Sequence, residues 1–62
     1  MSVGAELTAV STTLEELTKR VGQILSQLSA EDDERYGSGL LEVERALGTA
    51  SRRLDRLVTA AR

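Results

Sequence analysis

Residues 3–28 read VGAELTAVSTTLEELTKRVGQILSQL, with large apolar side chains at Val3, Leu7, Val10, Leu14, Leu17, Val21, Ile24 and Leu28. The steps between them alternate between four and three residues without a fault, which is a heptad repeat. With Leu7 as an a position, Leu7, Leu14, Val21 and Leu28 form the a row, and Val3, Val10, Leu17 and Ile24 the d row. The same rule restarts at Leu40 and runs through Val43, Leu47, Ala50, Leu54, Leu57 and Ala61. No proline interrupts either stretch, so two helices with one pattern are expected. The two glycines inside them, Gly22 and Gly48, fall at b positions, on the outer side of an a/d seam, and cost roughly 1 kcal/mol each relative to alanine.

Between the repeats lies Ser29-Ala30-Glu31-Asp32-Asp33-Glu34-Arg35-Tyr36-Gly37-Ser38-Gly39. Ser29 suits an N-cap followed by acidic residues at the positive end of a helix dipole. Gly37 suits a helix stop and Ser38 a second N-cap. If the two repeats pack antiparallel, Leu28 meets Val43, Ile24 meets Leu47, Val21 meets Ala50, Leu17 meets Leu54, Leu14 meets Leu57 and Val10 meets Ala61. Every such pair of residue numbers has the same sum, and the midpoint falls between Arg35 and Tyr36. The expected fold is therefore all-α: an antiparallel helical hairpin of two heptad-repeat helices in a single domain. Helix 1 spans about residues 4–29, an acidic turn about 30–38 with a possible short helical turn inside it, and helix 2 about 39–61.

The edges of that seam bear on assembly. The e positions are Ser11, Thr18 and Leu25 on helix 1 and Glu44, Ser51 and Val58 on helix 2, so all but Glu44 are uncharged. A two-stranded coiled coil with no further partner carries complementary charges there. Neutral e positions widen the apolar stripe toward three residues per heptad, the pattern of a four-helix bundle. Ser11, Thr18, Leu25, Ser51 and Val58 are accordingly the expected interface for self-association or for another protein, with a homodimer forming the bundle. A chain of 62 residues buries only roughly 60% of its unfolded surface, so oligomerisation is also the expected route to stability.

Composition narrows the chemistry. The chain has no cysteine, histidine or tryptophan and one aromatic residue, Tyr36, which removes disulfides, thiolate or imidazole metal sites and cysteine or histidine catalysis. Asp32, Glu34, Tyr36 and Gly37 fall at the first, third, fifth and sixth places of a calcium-loop count, but the twelfth place, which needs a bidentate glutamate, is Val43. Glu15 and Glu16 diverge as neighbours on a helix, and a thin hairpin offers no concavity to desolvate them. No enzyme activity, cofactor or metal is expected.

Eight basic and ten acidic residues leave a net charge of −2, unevenly spread. Residues 31–44 carry Glu31, Asp32, Asp33, Glu34, Glu42 and Glu44 against Arg35, a net of −5; residues 45–62 carry Arg45, Arg52, Arg53, Arg56 and Arg62 against Asp55, a net of +4. Arg45, Arg52, Arg53 and Arg56 make a possible anion or partner contact. They lack an aromatic to stack a base and a glycine-rich loop to cradle a phosphate. The expected function is thus a non-enzymatic protein–protein interaction module: a small coiled-coil scaffold, adaptor or regulator acting through helical faces. The alternative is a nucleic-acid or small anionic-ligand binder using the arginine-rich end of helix 2, which the overall negative charge disfavours. Residues 1–10 lack the basic start and apolar run of a secretory signal, and no stretch reaches the ~18 apolar residues of a membrane span, so a cytoplasmic location is expected. Seven arginines to one lysine, with no asparagine or phenylalanine, point to a GC-rich bacterial genome.

Overall fold

A computed structural model describes residues 2–61. Every element in it is helical, and the chain forms an antiparallel hairpin. Helix α1 covers Val3–Gln27. Ser2 caps it: the Ser2 Oγ accepts from the Ala5 amide at 3.4 Å, with Glu6 in the first turn where the dipole favours a carboxylate. The chain then reverses over only two residues. Leu28 and Ser29 are both extended, with ψ near 135° and 164°, and the next helix starts at once. Ser29 caps that start as its sequence context predicts, its Oγ accepting from the Asp32 amide at 3.1 Å, with Glu31 and Asp32 in the first turn.

From there the backbone stays right-handed to the end. Helix α2 (Ala30–Asp32), a π-helical turn (Asp33–Gly37) and helix α3 (Ser38–Ala60) follow without a break. The acidic stretch expected as a turn over 30–38 is therefore the opening of one long helix. Gly37 has φ −56° and ψ −50°, so it is no left-handed stop, and Ser38 is helical rather than a cap. Two glycines cost about 2 kcal/mol of propensity, too little to break a helix whose termination would leave several backbone groups unpaired. The 46 Å long axis of the molecule is the length of about 31 residues at 1.5 Å rise, so the long helix runs its whole extent.

The π-turn brings Asp33 and Gly37 together. Its extra residue per turn swings the Asp33 side chain over Gly37, and a Cβ on Gly37 would overlap the Asp33 carboxylate. Gly37 is buried there, and a side chain at this position requires the Asp33 carboxylate to shift.

Three close approaches fix the register between α1 and the long helix. The Ser11 Oγ donates to Asp55 Oδ1 at 2.9 Å; a methyl on Gly4 would lie 3.6 Å from Ala61 Cβ; a methyl on Gly22 would lie 3.2 Å from Glu44 Oε2. Ala61 thus sits against Gly4, where the a/d layers had placed it against Val10. The long helix is displaced by more than a turn because the chain reverses at Leu28–Ser29 rather than around Arg35–Tyr36.

The seam is also rotated. On α1 the covered positions are Gly4, Leu7, Ser11, Leu14, Thr18, Val21, Leu25 and Leu28; on α3 they are Leu40, Glu44, Leu47, Ser51, Leu54 and Val58. These are the a and e rows. The d rows lie outside: Val10 is 53% exposed, Leu57 56%, and Leu17, expected in a central layer with Leu54, is exposed as well. Gly22 and Gly48, expected on the outer side, are half-buried at the edge of this rotated seam.

Candidate functional site

An a/e seam leaves two flanks on the hairpin. In an antiparallel pair, equivalent rows of the two helices emerge on the same side, so the d rows of α1 and of the long helix share one face and the b rows share the other. Val3, Val10, Leu17 and Ile24 stand on the first face beside Val43, Ala50 and Leu57, all exposed. Tyr36 continues the second of these rows at the same seven-residue step and is 51% exposed. Shallow grooves run between the rows. Leu14, Ala46, Ala50, Leu54 and Leu57 line one, with Arg53 at its rim; Ala9, Val10, Thr13, Leu14 and Leu17 line the next.

The opposite flank is polar. Glu15, Thr18, Lys19, Gly48, Ser51 and Arg52 surround one depression there, and Glu44, Arg45, Gly48, Thr49 and Arg52 the adjoining one. The Arg52 guanidinium donates to Thr49 Oγ1 at 3.2 Å, within its own helix.

The residues expected at an interface between chains fall elsewhere. Ser11 is buried against Asp55, and Thr18, Leu25, Ser51 and Val58 are half-buried, all on the side where the two helices of one hairpin meet. In the single chain they therefore belong to the hairpin's own seam. Size contributes along the first part of α1: Gly4, Ser11 and Thr18 repeat at seven residues and let the backbones approach, before Leu25 closes the row, whereas Val10, Leu17 and Ile24 are all large.

The four arginines are exposed but do not form one site. Arg53 borders the apolar face, Arg45 and Arg52 border the polar flank, and Arg56 lies one turn beyond Arg52 toward the apolar side. By their spacing Arg45, Arg52 and Arg56 share one sector of the helix, and Arg53 lies off it at the edge of the apolar face. The carboxylates of residues 31–34 fan out along the long helix, and among the described residues no group of three or more metal-ligating side chains is gathered. No helix among the described residues is long and apolar enough to cross a membrane.

Sequence reasoning missed Tyr36 as part of the exposed row and missed the d row as the uncovered one. The signal that could have found them is the run of small residues at Gly4, Ser11 and Thr18, which marks where helices touch most closely. No family model, curated protein or solved structure matches the chain.

Proposed function

We propose that the chain is a non-enzymatic protein–protein interaction module, a small scaffold, adaptor or regulator, which lends its d-row face to two further helices and so completes a four-helix bundle. One observation carries this reading: among the described residues no apolar side chain is buried, while Val10, Leu17, Ile24, Val43 and Leu57 all stand in solvent on a single face. The accessible surface is 4924 Å², against about 3,900 Å² for a compact monomer of this mass. The surplus of about 1,000 Å² compares with the ~800 Å² that each partner covers in a standard interface. An apolar stripe of a, d and e positions, of which only a and e meet inside the hairpin, is the sequence of a helix that touches two neighbours.

The test is a photo-activated crosslinking residue at Leu17, compared with the same residue at Arg52 on the polar flank, in cells of the organism that makes the protein. Protein adducts at Leu17 and few at Arg52 are the expected result. Absence of any protein adduct at Leu17 overturns the interaction reading.

A further inference from the structure

We infer that the two helices completing the bundle belong to a second copy of this chain, packed face to face on the d rows and antiparallel, with long helix on long helix. This rests on the interaction reading above and names its partner. A two-fold axis across this face sets each residue of one copy against a partner on the other and repeats the pair by symmetry.

In an antiparallel pair of identical helices, facing residues keep a constant sum of residue numbers. The sum that sets Tyr36 against Leu57 of the second copy also sets Val43 against Ala50, so a large side chain meets a gap at the small one and the two most exposed ends of the row cover each other. The same register lays the basic end of each long helix along the acidic opening of the other, with Arg53 level with Leu40 of the second copy and within two residues of its Glu42. A parallel dimer would instead gather the acidic openings of both long helices, Glu31 to Glu34, at one end of the assembly, where like charges repel. The surplus surface of about 1,000 Å² per chain is what one further copy covers.

The experiment uses the purified full chain. Sedimentation equilibrium from about 1 to about 100 μM, the range in which such an interface would dissociate, is expected to show a dimer. In a chain carrying Tyr36→Cys with Leu57→Cys the two thiols stand about 30 Å apart along one helix, too far to bond within it. Mild oxidation should nevertheless give a covalent dimer, and neither single variant should. Arg53→Glu should weaken dimerisation about five-fold, as two symmetric exposed pairs are lost, and Glu42→Arg in the same chain should restore it. A monomer throughout the range overturns the inference, as does a dimer whose cysteine pair stays unlinked. If the purified chain is monomeric while the Leu17 probe captures a different protein, the second copy is excluded and the interaction reading stands.

Discussion

The two flanks of the hairpin are equally distant from its seam and differently built. With a and e rows inward, the b and d rows each lie about 80° to one side, so packing within one hairpin treats them alike. The b flank nevertheless carries Thr8, Glu15, Gly22, Gly48 and Asp55, with Leu41 as its one large apolar residue, while the d flank carries Val10, Leu17, Ile24, Tyr36, Val43 and Leu57. The polar flank is what a surface facing water looks like. On the reading proposed above, the apolar flank is the surface that a further partner covers. On that reading the strict a/d spacing of the sequence marks two contacts sharing the a row, rather than one seam.

The largest way to break this comparison is to charge the seam. Leu25→Glu with Val58→Glu puts carboxylates where the helices meet, and losing even one such leucine contact costs about 2 kcal/mol or more. A chain of this length has only a few kcal/mol of total stability, so far-ultraviolet circular dichroism should show helicity largely lost. Retained helicity with loss of association alone would mean that the e row faces outward and that the two contacts are reversed.

Charging the other face should act differently. Leu17→Glu with Ile24→Glu leaves the seam intact, so helicity at low temperature should persist while self-association disappears. The melting temperature of the native chain should rise with concentration, because a partner that binds only the folded form stabilises by mass action, and that of the variant should not. Equal concentration dependence in both proteins would show that the d row carries no contact.

Much of this fold was legible in the heptads and in Ser29. The unbroken three-and-four spacing identifies the helices, and a serine followed by Glu31 and Asp32 identifies where the second begins. The reversal was less legible because Leu28 and Ser29 adopt ordinary extended angles that need neither glycine nor proline, whereas Gly37-Ser38-Gly39 resembles a break and is spanned by helix. Its continuation depends on the hydrogen bonds that a break would forfeit, which no local residue announces. The choice between d and e as inner row was illegible for a related reason: the rows flank a on opposite sides, about 100° apart, and both are free of charge on α1. Side-chain size at Gly4, Ser11 and Thr18 contributes to it, and a binary apolar pattern does not record size.

The register itself can be probed at the one side-chain hydrogen bond between helices among the described residues. Ser11→Ala removes the donor to Asp55 from the buried side of the seam and should lower stability by about 1 kcal/mol, read from thermal melting at fixed concentration. Asp55 remains open to water, which keeps the loss from growing larger. Stoichiometry should be unchanged, since the pair lies within one hairpin. A change in the number of chains per particle would place Ser11 between molecules instead.

The smallest effect expected has the opposite sign and tests how loosely the polar flank packs. Gly48 lies inside α3 at the edge of the seam, and a Cβ there would meet only the Arg52 Nη1, at an ordinary 3.5 Å. Gly48→Ala should therefore gain up to about 1 kcal/mol of helix propensity, seen as a higher melting temperature with unchanged association. Gly37→Ala makes the control, because the same gain is opposed by overlap with the Asp33 carboxylate and should largely cancel. If Gly48→Ala lowers stability instead, the b flank is a packed surface like the d flank, and the asymmetry on which the bundle rests would be gone.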